Sequence, residues 1–99
     1  MRYGKLDADH KVIAVTPHEV EELLGNLSRQ VGKFTDGDVE VSTVFLGLNH
    51  GDERGDKWFE TMVFGGPLDG EQERYETWVE AEAGHAAVIA RVLAMKTSS

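Results

Sequence analysis

The chain has no cysteine. That one absence excludes disulfides, thiol catalysis and every thiolate metal site, and it suits a reducing cytosol. Basic residues are scarce: 10 Lys and Arg face 18 Asp and Glu, for a formal charge of −8. A plain nucleic-acid binder needs a basic face to neutralise phosphates, so no direct nucleic-acid binding is expected. The same balance opposes attraction to anionic membranes. No run reaches the roughly 18 apolar residues that a membrane-spanning helix requires. The opening MRYGKLDADH lacks the apolar core of a signal peptide. Repeats, linkers and low-complexity segments are also missing. The acidic residues are spread along the chain rather than blocked, which reads first as solubility and second as an acidic surface that competes with nucleic acid for a basic partner.

What is present is one small domain of 99 residues, taken as 1–99. A domain of this size buries only roughly 60–65% of its unfolded surface, so oligomerisation is a natural remedy for a thin stability margin. The chain is organised around VEVSTVFLGLNHGDERGDKWFETMVFGG, residues 39–66: two apolar, β-rich runs joined by a polar loop with Gly51 and Gly55. Val39, Val41 and Thr43 alternate with Glu40 and Ser42, and from Thr43 onward the run is apolar on both faces. The second run spans Trp58 to Gly65. The turn signals of Gly65-Gly66-Pro67-Leu68-Asp69-Gly70 then lead to a third strand, roughly 71–76, completing a three-stranded meander.

Upstream, the turn Asp7-Ala8-Asp9-His10 between residues 2–6 and 11–15 predicts a β-hairpin. Thr16-Pro17-His18-Glu19 predicts a capped helix start, and Val20, Leu23, Leu24, Leu27 and Val31 continue at helical spacing to a stop at Gly32. Thr35-Asp36-Gly37-Asp38 is a turn centred on Asp-Gly. Thr77-Trp78-Val79-Glu80 is a second capping box, opening a helix that runs to about Met95. Its second half, from Ala86, is apolar nearly all round, which calls for cover on every side and points to a homodimer through this C-terminal helix. The expected fold is therefore α+β: a two-layer sandwich in the order ββαβββα, an antiparallel sheet with two helices on one face.

VSTVFLGLNH, FETMVFGG and RYETWVEAEAGH, in this order, resemble a family of small uncharacterised proteins encoded by tailed bacteriophages and prophages. The resemblance covers about Val39 to Val92. In similar proteins the loop after the histidine is often richer in glycine and proline, whereas here it reads Gly51-Asp52-Glu53-Arg54-Gly55-Asp56-Lys57. The resemblance implies a phage origin and action in the host cytoplasm. It carries over no activity, cofactor or catalytic residue.

Glu60 is the most informative polar residue, because a carboxylate inside an apolar strand is either edge-exposed or paired. Alternation puts it on one face with Trp58, Met62 and Phe64, with register near Leu46 and near Glu76 or Thr77, and Arg74 as a possible partner. As a functional group it would serve as a general base. His50, at the end of the first central run, and His85, in the second helix, would join it in a small metal-dependent or acid/base hydrolase. No metal site is fixed by the spacing, and each histidine reads first as a hydrogen-bonded structural residue. Trp58, Arg74 and Tyr75 are ligand-binding candidates, with Trp58, Tyr75 and Trp78 able to stack on a ring or to anchor a core. No cofactor is expected. The leading reading is a non-enzymatic accessory protein of phage that binds a host protein or a small ligand, inhibition of host defence being one version. The alternatives are the hydrolase and a minor virion structural or assembly factor.

Overall fold

A computed structural model describes residues 3–15, 30–47, 49, 51 and 53–97, the last two of them through their backbone alone. The fold is α+β, with antiparallel sheets and a C-terminal helix. Strands β1 (Tyr3–Leu6) and β2 (Val12–Val15) form a hairpin. Its turn is built by Asp7, as the sequence predicts: Asp7 Oδ1 accepts the backbone N–H groups of Asp9 (2.8 Å) and Lys11 (2.9 Å).

Four strands follow, β3 (Gln30–Asp36), β4 (Val39–Phe45), β5 (Phe59–Phe64) and β6 (Gln72–Tyr75), hydrogen-bonded in that order as one antiparallel sheet. Gly37, at the first central position of the β3–β4 hairpin, has φ 61°, the conformation a type II′ turn requires there. Period-two alternation sends Val41, Thr43 and Phe45 to one face of β4, opposite Val63, Thr61 and Phe59 of β5. All six are buried.

Helix α1 (Trp78–Thr97) covers that face. Thr77 caps it, accepting the Glu80 N–H at 3.1 Å and donating to the Glu80 carboxylate at 3.2 Å. Ala81, His85, Val88 and Val92 recur every three or four residues, so they form one stripe facing the sheet. The core consequently has two apolar clusters. Phe45, Trp58, Phe59 and Ala81 form an aromatic one, joined by Leu6 and Val12 of the hairpin. Val41, Val63, Val88 and Val92 form an aliphatic one. Thr43, Thr61 and His85 lie between them.

Several expectations are corrected. Val31 and Gly32 do not end a helix but belong to β3, whose register shifts by one residue between Gln30 and Gly32. The meander thus has a fourth strand. The hairpin turn is Gly37-Asp38 rather than Asp36-Gly37, because Asp36 still pairs with Val39. The N-terminal hairpin forms its own two-stranded sheet, tied to the larger one by Gly4 N–H donating to Gly47 O (2.9 Å). One α-helix is found among the described residues, not two. The body of the first predicted helix, residues 16–29, lies outside them. The second half of α1 faces the sheet with Val88 and Val92 and leaves Ala86, Ala87, Ala90 and Leu93 exposed, the side for which the sequence expects a partner subunit. No helix among the described residues is long and apolar enough to cross a membrane.

Candidate functional site: a cleft between the hairpin and the helix start

The sequence-predicted residues are not brought together. Glu60 lies on the outer face of the sheet, away from α1, opposite Val44 and Arg74. Its Oε2 accepts Arg74 Nε at 2.9 Å and the Gln72 side-chain amide. Arg74 is thus the partner the sequence proposed, although the register differs by two residues from the expected one. Trp58 precedes β5 instead of opening it, and it turns into the core against Phe45 rather than sharing the face of Glu60.

His85 lies on the opposite side of the sheet from Glu60. Its Nδ1 is 2.7 Å from Thr43 Oγ1, which is 2.5 Å from Thr61 Oγ1. Gly32 lies against its Nε2, where a Cβ would come within 2.6 Å. Burial holds the imidazole below its ordinary pKa. The ring is wedged between a glycine and a threonine pair, in the layer between the two apolar clusters. It cannot share a reacting atom with Glu60. Tyr75, on the inner face, donates to Glu73 Oε2 at 3.2 Å. Burial raises its phenol pKa, a hydrogen bond with Thr61 opposes this, and the Glu73 carboxylate adds to the rise. Trp58 and Tyr75 thus meet at the aromatic cluster, while Arg74 lies on the other face of the sheet. His50 lies outside the described residues. Among those residues, no group of three His, Asp or Glu side chains is arranged to hold a metal ion.

A cleft of about 600 Å³ opens where the hairpin meets the start of α1. Trp58, 5% exposed, is its floor. The indole is held from behind by the hairpin, where Gly4 allows close approach: a Cβ there would come 2.7 Å from Trp58 Cζ3. Trp78 forms a wall. Its edge contact with Phe59 (centroids 6.1 Å, 84°) fixes it on the core, and the His10 ring stacks on its face at 3.9 Å and 10°. His10 reaches this place from the hairpin turn with φ 63°, the left-handed region that histidine tolerates better than most residues. Val12, Ala14 and Val79 add apolar lining.

The rim is charged. Among the described residues, Asp9, Asp56, Glu76 and Lys11 line it. Asp56 is positioned by the loop after β4, where Asn49 Nδ2 donates to Asp56 Oδ1 at 2.9 Å. The Asn49 carbonyl accepts Gly51 N–H (2.8 Å) and Lys57 N–H (2.9 Å), closing the loop on itself.

The cleft thus combines aromatic faces with charged groups at its rim. Trp58 and Trp78, which the sequence offers as stacking rings or core anchors, both line the cleft. Sequence reasoning missed their common site with His10, because the hairpin turn and the helix start are remote in sequence. The available signal was an aromatic residue directly after an N-cap, a position that faces outward as readily as inward. No protein-family model, curated protein or solved structure matches the chain.

Proposed function

We propose that the protein is a non-enzymatic binding protein of phage, acting in the host cytoplasm, that holds a host protein or a small ligand in the cleft between its N-terminal hairpin and the start of α1. The cleft carries this reading. It is concave, has an aromatic floor and wall, and gathers a few polar groups at its rim, the arrangement that binding sites favour. The phage origin rests on the resemblance of the three sequence strings. Dimerisation through the C-terminal helix is part of the same proposal, supported by the alanine-rich outer side of α1 and by Leu93, which is 40% exposed there.

A native mass spectrum of the protein purified from bacterial cells tests the proposal, reporting subunit number and bound mass together. The expected species is a dimer carrying an added mass, and that mass disappears in Ala14→Trp, which fills the cleft from an exposed position. A bound mass retained in Ala14→Trp contradicts the cleft as the site, and a monomer at micromolar concentration contradicts the dimer.

A further inference from the structure

We infer that the cleft receives the guanidinium of an arginine presented by a basic segment of a partner protein, and that this group replaces the His10 ring on the face of Trp78. The inference rests on the reading of the cleft as a binding site and names what it binds.

Three observations lead to it. The first is charge. Among the described lining residues, Asp9 and Glu76 present exposed carboxylates beside Lys11, within a chain of formal charge −8, so an incoming cation is favoured and an anion is repelled. The second is shape. The face of Trp78 already holds a flat, nitrogen-containing ring within 10° of parallel. A guanidinium is flat, always charged and stacks on indole in the same way, while an ammonium is a compact point charge that cannot reproduce a parallel stack. The third is access. His10, Ala14, Glu76, Thr77 and Val79 are all exposed, so the cleft is an open trough rather than an enclosed chamber. Free small molecules are usually enclosed over most of their surface. An open trough suits a side chain carried on a polypeptide, whose flanking residues contribute the remaining contact.

His10 is therefore a built-in occupant. It is an exposed turn residue, and the turn itself is held by Asp7 through backbone groups. The ring can leave Trp78 without dissolving the hairpin. Once it leaves, the Trp78 face and the Asp9 and Glu76 carboxylates become available together.

The test uses the full chain and four peptides of one Gly/Ser sequence carrying at its centre arginine, lysine, citrulline or glutamate, followed by tryptophan fluorescence and calorimetry. The arginine peptide is expected to bind, with citrulline and glutamate weaker by about 10-fold or more, lysine in between, and an affinity that falls as salt rises. Asp9→Asn combined with Glu76→Gln, both at exposed positions, weakens the arginine peptide by about 5-fold. His10→Gly keeps the left-handed turn at no steric cost and strengthens it by about 3-fold, because the stacking face is vacated. Equal affinity for arginine and citrulline, or loss of binding in His10→Gly, overturns the inference. If no peptide moves the tryptophan signal while the native mass spectrum still shows a bound mass lost in Ala14→Trp, the arginine inference fails and the cleft reading survives. If neither signal is seen, both fail.

Discussion

The two halves of the core are built differently, one aliphatic and one aromatic, and the proposed binding cleft opens at the aromatic one. At one end Val41, Val63, Val88 and Val92 interlock between sheet and helix. At the other, Phe45, Trp58 and Phe59 pack with Ala81, and their neighbours Val12 and Trp78 continue outward as the lining of the cleft. Among the described residues, Phe34, Val39, Leu68 and Ile89 pack around the aliphatic end. The aromatic end does two tasks with one set of rings, since the indole that closes the core is also the floor a ligand would touch. With the cleft as the proposed binding site, binding and folding would be coupled at one end and independent at the other.

The most severe way to break this comparison is to empty each end in turn. Phe59→Ala at the aromatic end is expected to cost about 4 kcal/mol, and Val63→Ala at the aliphatic end about 2 kcal/mol. Both are measured by urea unfolding. Ligand affinity should fall in Phe59→Ala, which loses the edge support of Trp78, and stay unchanged in Val63→Ala as long as the protein is folded. Equal losses of affinity would show that the two ends are not separate.

Gly84→Ala probes the join between α1 and β6. In an isolated helix this change stabilises by about 1 kcal/mol. Here the new Cβ would enter the ring of Tyr75, so a net loss of about 1–3 kcal/mol is expected. A rise in the midpoint of thermal unfolding would show that Tyr75 moves aside freely.

The polar layer between the two ends gives a pH signature. Burial lowers the pKa of His85 in the folded state. The unfolded chain therefore binds the proton first, and stability is lost as pH falls from the ordinary histidine value of about 6.5 toward the lower folded value. Above about 6.5 both states are neutral at this residue and it adds no pH dependence. Unfolding midpoints of the wild type and His85→Gln, compared across pH 7.5 to 5, should diverge in steepness, with the variant flatter. Parallel curves would remove His85 from the account.

The smallest effect belongs to the outer face. Glu60→Gln breaks the pair with Arg74, and the expected cost is at most about 1 kcal/mol, because Arg74 stays largely in water. Ligand affinity should be unaffected, since Glu60 lies on the face opposite α1 and outside the cleft. A change in affinity there would move the site.

Much of this was legible in the chain. The meander follows from the alternation in Val39–Phe45 and from the Gly65–Gly70 turn, and the α1 cap from Thr77 and Glu80. Strand β3 was not legible. Val31 continues the helical spacing of Leu24 and Leu27, and the glycine that looked like a helix stop is the residue that lets His85 approach the sheet. Glu60 drew attention because a carboxylate among apolar residues is costly, yet Arg74 and Gln72 satisfy it locally. His10 drew little, because its turn explains it completely until the fold brings Trp78 alongside.

The central claim, that the aromatic end is the binding end, is tested most directly by nuclear magnetic resonance. The chain has two tryptophans, so their indole N–H signals report the cleft without ambiguity. On titration with the arginine peptide, the account predicts that Trp58 and Trp78 indoles and the Val12 and Val79 methyls shift together, while Val63, Val88 and Val92 stay in place. Shifts centred on those three valines or on Met62 and Phe64 of the outer face, with both indoles still, would contradict it.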